Sequence, residues 1–382
     1  MVALSPKQAA EIARGVYAVR READLESAYR RGGGLGIQDL FTIEGASRFT
    51  GTSGSMIGGC RSGFGYLARG SGSRQGEVLI AIRGTKTAAD WWTDANIGFQ
   101  RGPSDWPVHR GFNETFNTFV TDLDRYLLHD DPTHIHCVGH SLGGALATLA
   151  ADYLYEKQLA GVSLYTFGSP RVGGAGFSRY LTRRMGAENI YRVFHDADPI
   201  SMLPIFPFLH LPDPGSFYRL EWIGGRVAVM AHHMQSYLTT LGEAHWRGLG
   251  RPPDPNWEQR IEGWLEAGRR ESALAFSATT LTMIGQALAW IIKKIALGVS
   301  AATTPAAGVT VLDQLAGLLR QGVLASRGIA RYLKLLIGRI FQFLGRGVVT
   351  VTDITTAFVR WILDLLYAFL ANIAYRTLLS LG

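Results

Sequence analysis

Cysteine and charge are both scarce in this chain of 382 residues. It contains only Cys60 and Cys137, and the second lies inside a short apolar run, which argues against a disulfide framework and a cysteine-based zinc site. Charged residues make up 18% of the sequence and hydrophobic residues 47%, an apolar balance for a soluble enzyme. We therefore expect chemistry without a metal or cofactor, and contact between part of the chain and lipid.

The first twenty residues lack the continuous apolar stretch that a secretory signal peptide requires. Lys7, Glu11 and Arg14 interrupt the segment at the spacing of an amphipathic helix. We expect no Sec-type signal peptide, so that any export would use a route independent of one.

The net charge of +7 is distributed unevenly along the chain. Residues 271–382 contain ten Lys and Arg against four acidic residues, so this segment carries +6 and residues 1–270 carry +1. Cationic charge in the most apolar part of the chain favours an anionic membrane surface as partner. Nucleic acid is not expected, because no nucleic-acid-binding motif accompanies the charge, and the sequence makes no prediction of oligomeric state.

Two parts of different composition meet after a proline-rich loop at residues 250–256. Upstream of this loop, short β-rich runs alternate with helical patterns, which predicts βαβ units around a mostly parallel sheet. We predict an α/β domain over residues 1–270 and a helical, hydrophobic and cationic segment over residues 271–382. The four β-rich runs are 78–82, 135–138, 162–167 and 190–194.

Two stretches of the C-terminal segment are strongly apolar. Residues 272–292 contain no charged residue and have about the length that crosses a bilayer, which predicts a transmembrane helix. Residues 361–375 are short for a membrane span. Membrane association is the prediction, and the alternative is a soluble helical bundle that covers its apolar faces against the α/β domain or another subunit.

Between these stretches, residues 312–346 have a cationic amphipathic pattern. Arg320, Arg327, Arg331 and Lys334 fall along one helical stripe, opposite an apolar side. This pattern is typical of a helix that lies on an anionic membrane.

The pentapeptide Gly-His-Ser-Leu-Gly at 139–143 matches Gly-x-Ser-x-Gly, in which a nucleophilic serine stands on a sharp turn between a strand and a helix. The apolar run at 135–138 supplies the strand, and the Ala- and Leu-rich residues 145–151 supply the helix. Glycine is needed on both sides because the turn is strained and side chains there would collide with neighbouring elements. This context predicts Ser141 as a nucleophile and His140 as part of the turn only.

The longer string at 138–147 resembles the class 3 lipase family, which includes the fungal triacylglycerol lipases. The resemblance covers roughly residues 60–240, does not extend to the C-terminal segment, and implies an α/β-hydrolase fold and a Ser-His-Asp triad. Four further motifs match in the family's order: Ile-Arg-Gly-Thr at 82–85 followed by Asp90, Trp91 and Asp94; Val-His-Arg-Gly-Phe at 108–112; Phe-Gly-Ser-Pro-Arg-Val-Gly at 167–173; and Asp-Pro-Ile at 198–200 with Leu-Pro at 203–204.

A serine hydroxyl is a poor nucleophile near neutral pH, so a histidine must take its proton and a carboxylate must orient that histidine. The chain order in this architecture is Ser, acid, His. Asp198 is the predicted acid: it follows the strand at 190–194, and by resemblance its place before Pro199 matches the family's acid segment. Asp196 competes with it, and capping of a loop is the alternative role for Asp196.

Two adjacent histidines are candidates for the base. By resemblance the histidine stands shortly before a tyrosine, and His232, with Met234 and Tyr237, fits that spacing better than His233. His232 is therefore the predicted base and His233 the alternative base. Three other downstream histidines are predicted to be ordinary loop or surface residues: His195, His210 and His245.

Groups around the serine complete the expected site. The backbone N–H of Leu142, the residue after the nucleophile, is one donor of an oxyanion hole, and by resemblance Thr85 provides the second. Residues 86–107 are rich in aromatic side chains, including Trp91 and Trp92, and predict a lid that moves aside on lipid.

The sequence thus predicts a serine ester hydrolase that cleaves glycerolipids or phospholipids at a membrane surface. The cationic C-terminal segment favours phospholipid slightly. A membrane-active secreted effector or interaction protein, whose C-terminal segment perturbs the bilayer, is the alternative. A third hypothesis keeps the triad but assigns it to small soluble esters.

Overall fold

The computed structural model describes most of the chain. Three predicted site residues, Thr85, Trp91 and Trp92, lie outside the described residues. The described ranges are 3–20, 37, 40–43, 47–53, 60–84, 98–127, 131–223, 227–267, 277–298, 310–347 and 353–380.

An eight-stranded sheet and a separate two-stranded hairpin make up the β-structure of the described residues. The strands are β1 (Phe41–Thr42), β2 (Arg48–Ser53), β3 (Cys60–Gly70), β4 (Glu77–Ile82), β7 (His134–His140), β8 (Gly161–Phe167), β9 (Ile190–His195) and β10 (Tyr218–Leu220) in the sheet, and β5 (Phe99–Arg101) and β6 (Pro107–His109) in the hairpin. Strands β4, β7, β8, β9 and β10 are parallel neighbours in that order, whereas β1, β2 and β3 are antiparallel at one edge. The predicted α/β class with a mostly parallel sheet is confirmed.

Helices cover both faces of the sheet. Alternate residues of β4 point to opposite faces, as the period of a strand requires: Ile80 packs with the apolar residues of one face, and Leu79 with those of the other. The helices of this part are α1 (Pro6–Gly15), α2 (Arg110–Asn117), α3 (Val120–Leu127), α4 (Leu142–Glu156), α5 (Ala175–Met185), α6 (Met234–Leu241), α7 (Trp246–Leu249) and α8 (Trp257–Ala267). Helices α2 to α5 share a core with Ile80, whereas α1 and α6 pack on the face of Leu79.

Four further helices follow, and they bury their apolar faces against one another and against α8. They are α9 (Ala278–Gly298), α10 (Val311–Ala325), α11 (Arg327–Phe343) and α12 (Thr356–Ser380). Their buried side chains belong to the same contiguous hydrophobic cluster as the face of the sheet that carries α4. These four helices thus form a bundle, and membrane association of residues 271–382 stays a prediction.

The single amphipathic stripe predicted over residues 312–346 is wrong, because the chain forms two helices there. Ser326 has an extended backbone and its hydroxyl accepts a hydrogen bond from the Ile329 N–H, so it caps the start of α11. The break separates Arg320, which donates to the Ile354 carbonyl at 2.7 Å, from the other three cations of the predicted stripe, which lie on α11.

The helix at the predicted membrane span begins at Ala278, six residues after the predicted start, and continues to Gly298, so it includes the charged residues Lys293 and Lys294. Trp290 is buried. The Trp290 indole N–H and the Lys293 ammonium group donate hydrogen bonds to the Glu258 carboxylate on α8, at 3.2 and 2.5 Å. Among the helices described, α12 alone has the length and composition to cross a membrane, with a mean hydropathy of 1.5 in its most apolar window, of which 39% is buried. Core helices of soluble proteins meet the same criteria.

A buried carboxylate connects α4 to the β5–β6 hairpin. The Asp152 side chain is inaccessible to solvent, and its Oδ2 accepts hydrogen bonds from the amide and the hydroxyl of Ser104, at 3.2 and 2.9 Å. Its Oδ1 has no partner within the described part of the chain. Burial raises the pKa of Asp152 to about 7, so ionisation of this group opposes folding.

Asp152→Asn is expected to stabilise the protein at pH 8 and not at pH 4. In the unfolded chain an aspartate titrates near 3.9, so the folded state holds the extra proton between about pH 4 and 7, and stability falls as pH rises through that window. Asn keeps an oxygen for Ser104 without ionising, and we expect a gain of about 2–4 kcal/mol at pH 8. Thermal unfolding at pH 4 and pH 8 measures the change in stability, and Asp131→Asn at an exposed position is the control. An equal gain at pH 4 would contradict the raised pKa of Asp152.

Candidate active site

Ser141 occupies a strained turn between the end of β7 and the start of α4. Its φ of 59° and ψ of −133° lie in a region that L-residues rarely adopt. A Cβ at position 139 would lie 2.1 Å from the Gly143 carbonyl oxygen, and one at position 143 would lie 2.1 Å from the Ile82 carbonyl oxygen. The predicted need for glycine at both positions is confirmed, because backbone leaves no space for a side chain.

Three predicted site residues come together at this turn. His232 Nε2 lies 2.9 Å from Ser141 Oγ, and His232 Nδ1 lies 2.8 Å from Asp198 Oδ2. A carboxylate only accepts hydrogen bonds, so Nδ1 carries the ring proton and Nε2 presents a lone pair to the serine hydroxyl. All three side chains are buried. The arrangement can therefore move a proton from Ser141 to an imidazole held in the required tautomer.

The environment of Asp198 keeps it ionised. Burial by itself raises the pKa of a carboxyl group, but His232, the Tyr237 hydroxyl at 2.6 Å and the Ile200 N–H at 2.9 Å outweigh burial, so the pKa of Asp198 lies below its ordinary value. A carboxylate ionised at neutral pH can stabilise the imidazolium that forms when His232 takes a proton.

The two competing candidates bond to other groups. His233 Nε2 lies 3.0 Å from the Ser380 hydroxyl at the end of α12. Asp196 Oδ1 accepts a hydrogen bond from the Trp222 amide at 3.0 Å, which is the loop-capping role weighed for it.

The comparisons with known proteins now bear on the same region. Residues 79–208 match the family Lipase (class 3). This region is a class 3 lipase domain. The predicted resemblance and the predicted α/β-hydrolase fold class are confirmed for the lipase domain, and helices α9 to α12 lie outside the match.

Relatives of the lipase domain are themselves named as lipases. The chain is 36% identical over 165 residues to a secreted mono- and diacylglycerol lipase of Fusarium solani, covering 41% of this chain and 48% of the relative. It is 29% identical over 155 residues to a chloroplastic phospholipase A(1) of Arabidopsis thaliana, covering 34% of each. The lipase structure from Rhizopus microsporus var. chinensis has 25% identity and a TM-score of 0.37, covering 56% of this chain and 72% of that one. The chain thus spans about half or less of the length of the curated relatives from Fusarium solani and Arabidopsis thaliana.

Two buried histidines hold the turn Val229–His232, which carries the candidate base. His140 Nε2 donates to the His232 carbonyl at 2.7 Å and His195 Nδ1 donates to the Ala231 carbonyl at 2.7 Å, since carbonyls only accept. Burial lowers the pKa of His140 well below its ordinary value, and the neutral ring accepts the Tyr17 hydroxyl at Nδ1, at 2.7 Å. The prediction that His195 is a loop or surface residue is wrong, because β9 extends to it and buries it.

Gly168 lies directly beside the side chains of Asp198 and His232. Its φ is +54°, and a Cβ at this position would lie 2.4 Å from Asp198 Oδ2 and 2.9 Å from His232 Nδ1. Sequence reasoning did not single it out, although the Phe-Gly-Ser-Pro motif after the third predicted strand contained the signal. Gly168 lets β8 pass close enough for Asp198 and His232 to meet.

The oxyanion side of the site is described in part. Leu142 is the first residue of α4, so its N–H belongs to the helix amides that have no intrahelical partner. Arg83 holds the end of β4 through the Gly84 carbonyl and the Ser62 hydroxyl, both at 2.7 Å, and a Cβ on Gly84 would lie 3.0 Å from Ser141 Cβ. The backbone leading to Thr85 therefore passes beside Ser141.

The bundle outside the lipase domain reaches the candidate site. Helix α12 packs on the turn Val229–His232 and ends beside it, with Ser380 bonded to His233. In the part of the chain that the structure describes, no group of three or more His, Cys, Asp or Glu side chains could hold a metal ion.

Proposed function

We propose that the chain is a carboxylic ester hydrolase that cleaves acyl esters of glycerolipids or phospholipids. The observation that carries the proposal is the hydrogen-bonded series Ser141, His232 and Asp198 at the strained turn of a class 3 lipase domain. Ester hydrolysis by a serine requires a base within hydrogen-bond reach and an orienting carboxylate behind it, and both are present here.

In the proposed acylation, Ser141 Oγ attacks the ester carbonyl carbon while His232 Nε2 accepts the hydroxyl proton. The Leu142 N–H, and Thr85 by resemblance, stabilise the oxyanion, and His232 then gives its proton to the departing alcohol. Water, deprotonated by His232, attacks the acyl-Ser141 ester, and the fatty acid leaves as the serine regains its proton. Asp198 stays ionised throughout and balances the charge of the imidazolium.

The proposal places this reaction at a membrane surface. The turn that carries His232 and the last turns of α12 have solvent-exposed apolar side chains, with exposed fractions of 54% for Met230, 47% for Tyr375 and 52% for Leu379. Arg376 is exposed beside them, and residues 271–382 carry +6. Apolar and cationic side chains together favour an anionic lipid interface.

A lipid panel tests the function. Wild type and Ser141→Ala protein are incubated with vesicles containing diacylglycerol, phosphatidylcholine or phosphatidylglycerol, and with soluble p-nitrophenyl butyrate, and both fatty acid release and dye leakage are recorded. We expect wild type to release fatty acid from at least one lipid and the variant to release none.

The two readouts separate this proposal from its rivals. Leakage that is equal for both proteins, without fatty acid release, would support a membrane-active effector and overturn the hydrolase proposal. Hydrolysis confined to p-nitrophenyl butyrate would assign the triad to soluble esters. Release from both diacylglycerol and phospholipid would show a broad glycerolipid specificity.

A further inference from the structure

A cavity of about 440 Å³ lies between α8 and α11, outside the class 3 lipase domain. Its volume falls within the range of small-molecule sites, roughly 300–1,000 Å³. The lining combines cationic and apolar side chains and comprises Glu266, Arg327, Ala330, Arg331, Lys334 and Leu335.

The spacing of the lining residues on α11 places them on one helix face. Arg327, Ala330, Arg331 and Lys334 stand at positions i, i+3, i+4 and i+7, which share a face in an α-helix. The cap at Ser326 starts the helix directly before this group, so Arg327 lies in the first turn of α11, where the helix dipole is positive. Helix geometry and side-chain charge therefore act in the same direction here.

The ion pairs leave an excess of positive charge at the cavity. Arg331 and Glu266 form an ion pair at 2.7 Å. Arg327 and Lys334 form neither a hydrogen bond nor an ion pair with any residue that the structure describes. Two exposed, uncompensated cations thus line a concave surface to which Ala330 and Leu335 contribute apolar groups.

We propose that this cavity binds a phosphate ester group, with the guanidinium of Arg327 and the ammonium of Lys334 donating to the phosphate oxygens. An arginine fork and a lysine point charge are the usual partners of phosphate, and charge-assisted bonds of this kind are the strong ones. Leu335 and Ala330 contact the apolar part of the ligand. The phosphate ester comes either from the headgroup of an anionic phospholipid in a membrane or from a soluble phosphate monoester.

The site goes beyond the proposed ester hydrolysis, because its lining contains no nucleophile and no member of the Ser141 triad. It is therefore tested on full-length protein carrying Ser141→Ala, in which hydrolysis cannot alter the vesicles. The pocket variant adds Arg327→Gln and Lys334→Gln. The matched control adds Arg247→Gln and Arg346→Gln, which remove the same charge from exposed cations outside the cavity that have no described partner.

Binding is measured at physiological salt by sedimentation with phosphatidylcholine vesicles, with and without phosphatidylglycerol, and by calorimetry with glycerol 3-phosphate. We expect the pocket variant to bind anionic vesicles or glycerol 3-phosphate about tenfold more weakly than the control variant, since two charge-assisted bonds are lost. A loss for vesicles alone assigns the ligand to a lipid headgroup, and a loss for glycerol 3-phosphate alone assigns it to a soluble ester.

Equal losses in the pocket and control variants would show general charge attraction and overturn the proposal, as would failure of the parent protein to bind either probe. Thermal unfolding of the three proteins checks that they are folded. The same two pairs of substitutions in the background with Ser141 intact should leave p-nitrophenyl butyrate hydrolysis unchanged, so the outcome for this site is separate from the outcome for the hydrolase proposal.

Discussion

His232→Ala is expected to lower kcat for a soluble ester by about 10⁴- to 10⁶-fold, to the level of Ser141→Ala, whereas His233→Ala is expected to stay within about fivefold of wild type. His232 Nε2 is the nitrogen 2.9 Å from the serine hydroxyl, so its removal leaves that hydroxyl without a proton acceptor. His233 points its Nε2 to Ser380, and its loss removes a hydrogen bond at a partly exposed position.

A short soluble substrate such as p-nitrophenyl butyrate suits this comparison, because binding to a lipid surface then does not affect the rate. Ser141 and His232 act on one proton, so the double variant Ser141→Ala, His232→Ala should be no slower than either single variant. The assignment fails if His233→Ala loses activity to the same extent while His232→Ala keeps most of it.

The sheet and the strained turn could be predicted from the sequence because both depend on local patterns. The four β-rich runs are apolar over their length, as buried parallel strands are, and each strand in the structure differs from the predicted run by no more than two residues at either end. The glycines at 139 and 143 are likewise a local signal, because the tight turn at residue 141 brings other backbone atoms close to both positions.

The residues that support His232 could not be predicted in this way because they act at long range. His140 reaches the His232 carbonyl across 92 positions in sequence, and His195 reaches Ala231 across 36. The sequence alone does not show whether a histidine ring is solvated or donates a hydrogen bond to a buried carbonyl. Only the return of residues 229–232 to the end of the sheet distinguishes the two cases.

The environment of the C-terminal helices could not be predicted for a different reason. Hydropathy depends on the residues of a helix and does not distinguish contact with lipid from contact with other helices. Residues 272–292 have the length and the lack of charge of a membrane span, yet the apolar residues of α9 pack on α8, α10 and α11. The prediction of one amphipathic stripe over residues 312–346 was wrong for a local reason. Ser326 caps the start of a new helix within these residues, so the helical periodicity does not continue through them. Membrane association of this segment therefore stays a prediction.

Gly168→Ala is expected to lower kcat/KM for a soluble ester by about 10²- to 10³-fold, with KM changing little, and to destabilise the fold by about 1–3 kcal/mol. The added methyl group would lie 2.4 Å from Asp198 Oδ2 and 2.9 Å from His232 Nδ1. Neither atom can move away from this methyl group without lengthening the Asp198–His232 hydrogen bond, which is 2.8 Å long in the native protein. The base is then held in the wrong place while the nucleophile is untouched.

Gly72→Ala is the matched control for this prediction. Its φ of +56° is nearly that of Gly168, and a Cβ there meets nothing within 4 Å, so the substitution has the same backbone penalty without the collision. We expect similar losses of thermal stability from the backbone effect, a further loss at Gly168 from the collision, and a normal kcat/KM for Gly72→Ala alone. If Gly168→Ala is as active as Gly72→Ala, then Asp198 and His232 do not need the close approach of β8, and their bond does not govern the rate.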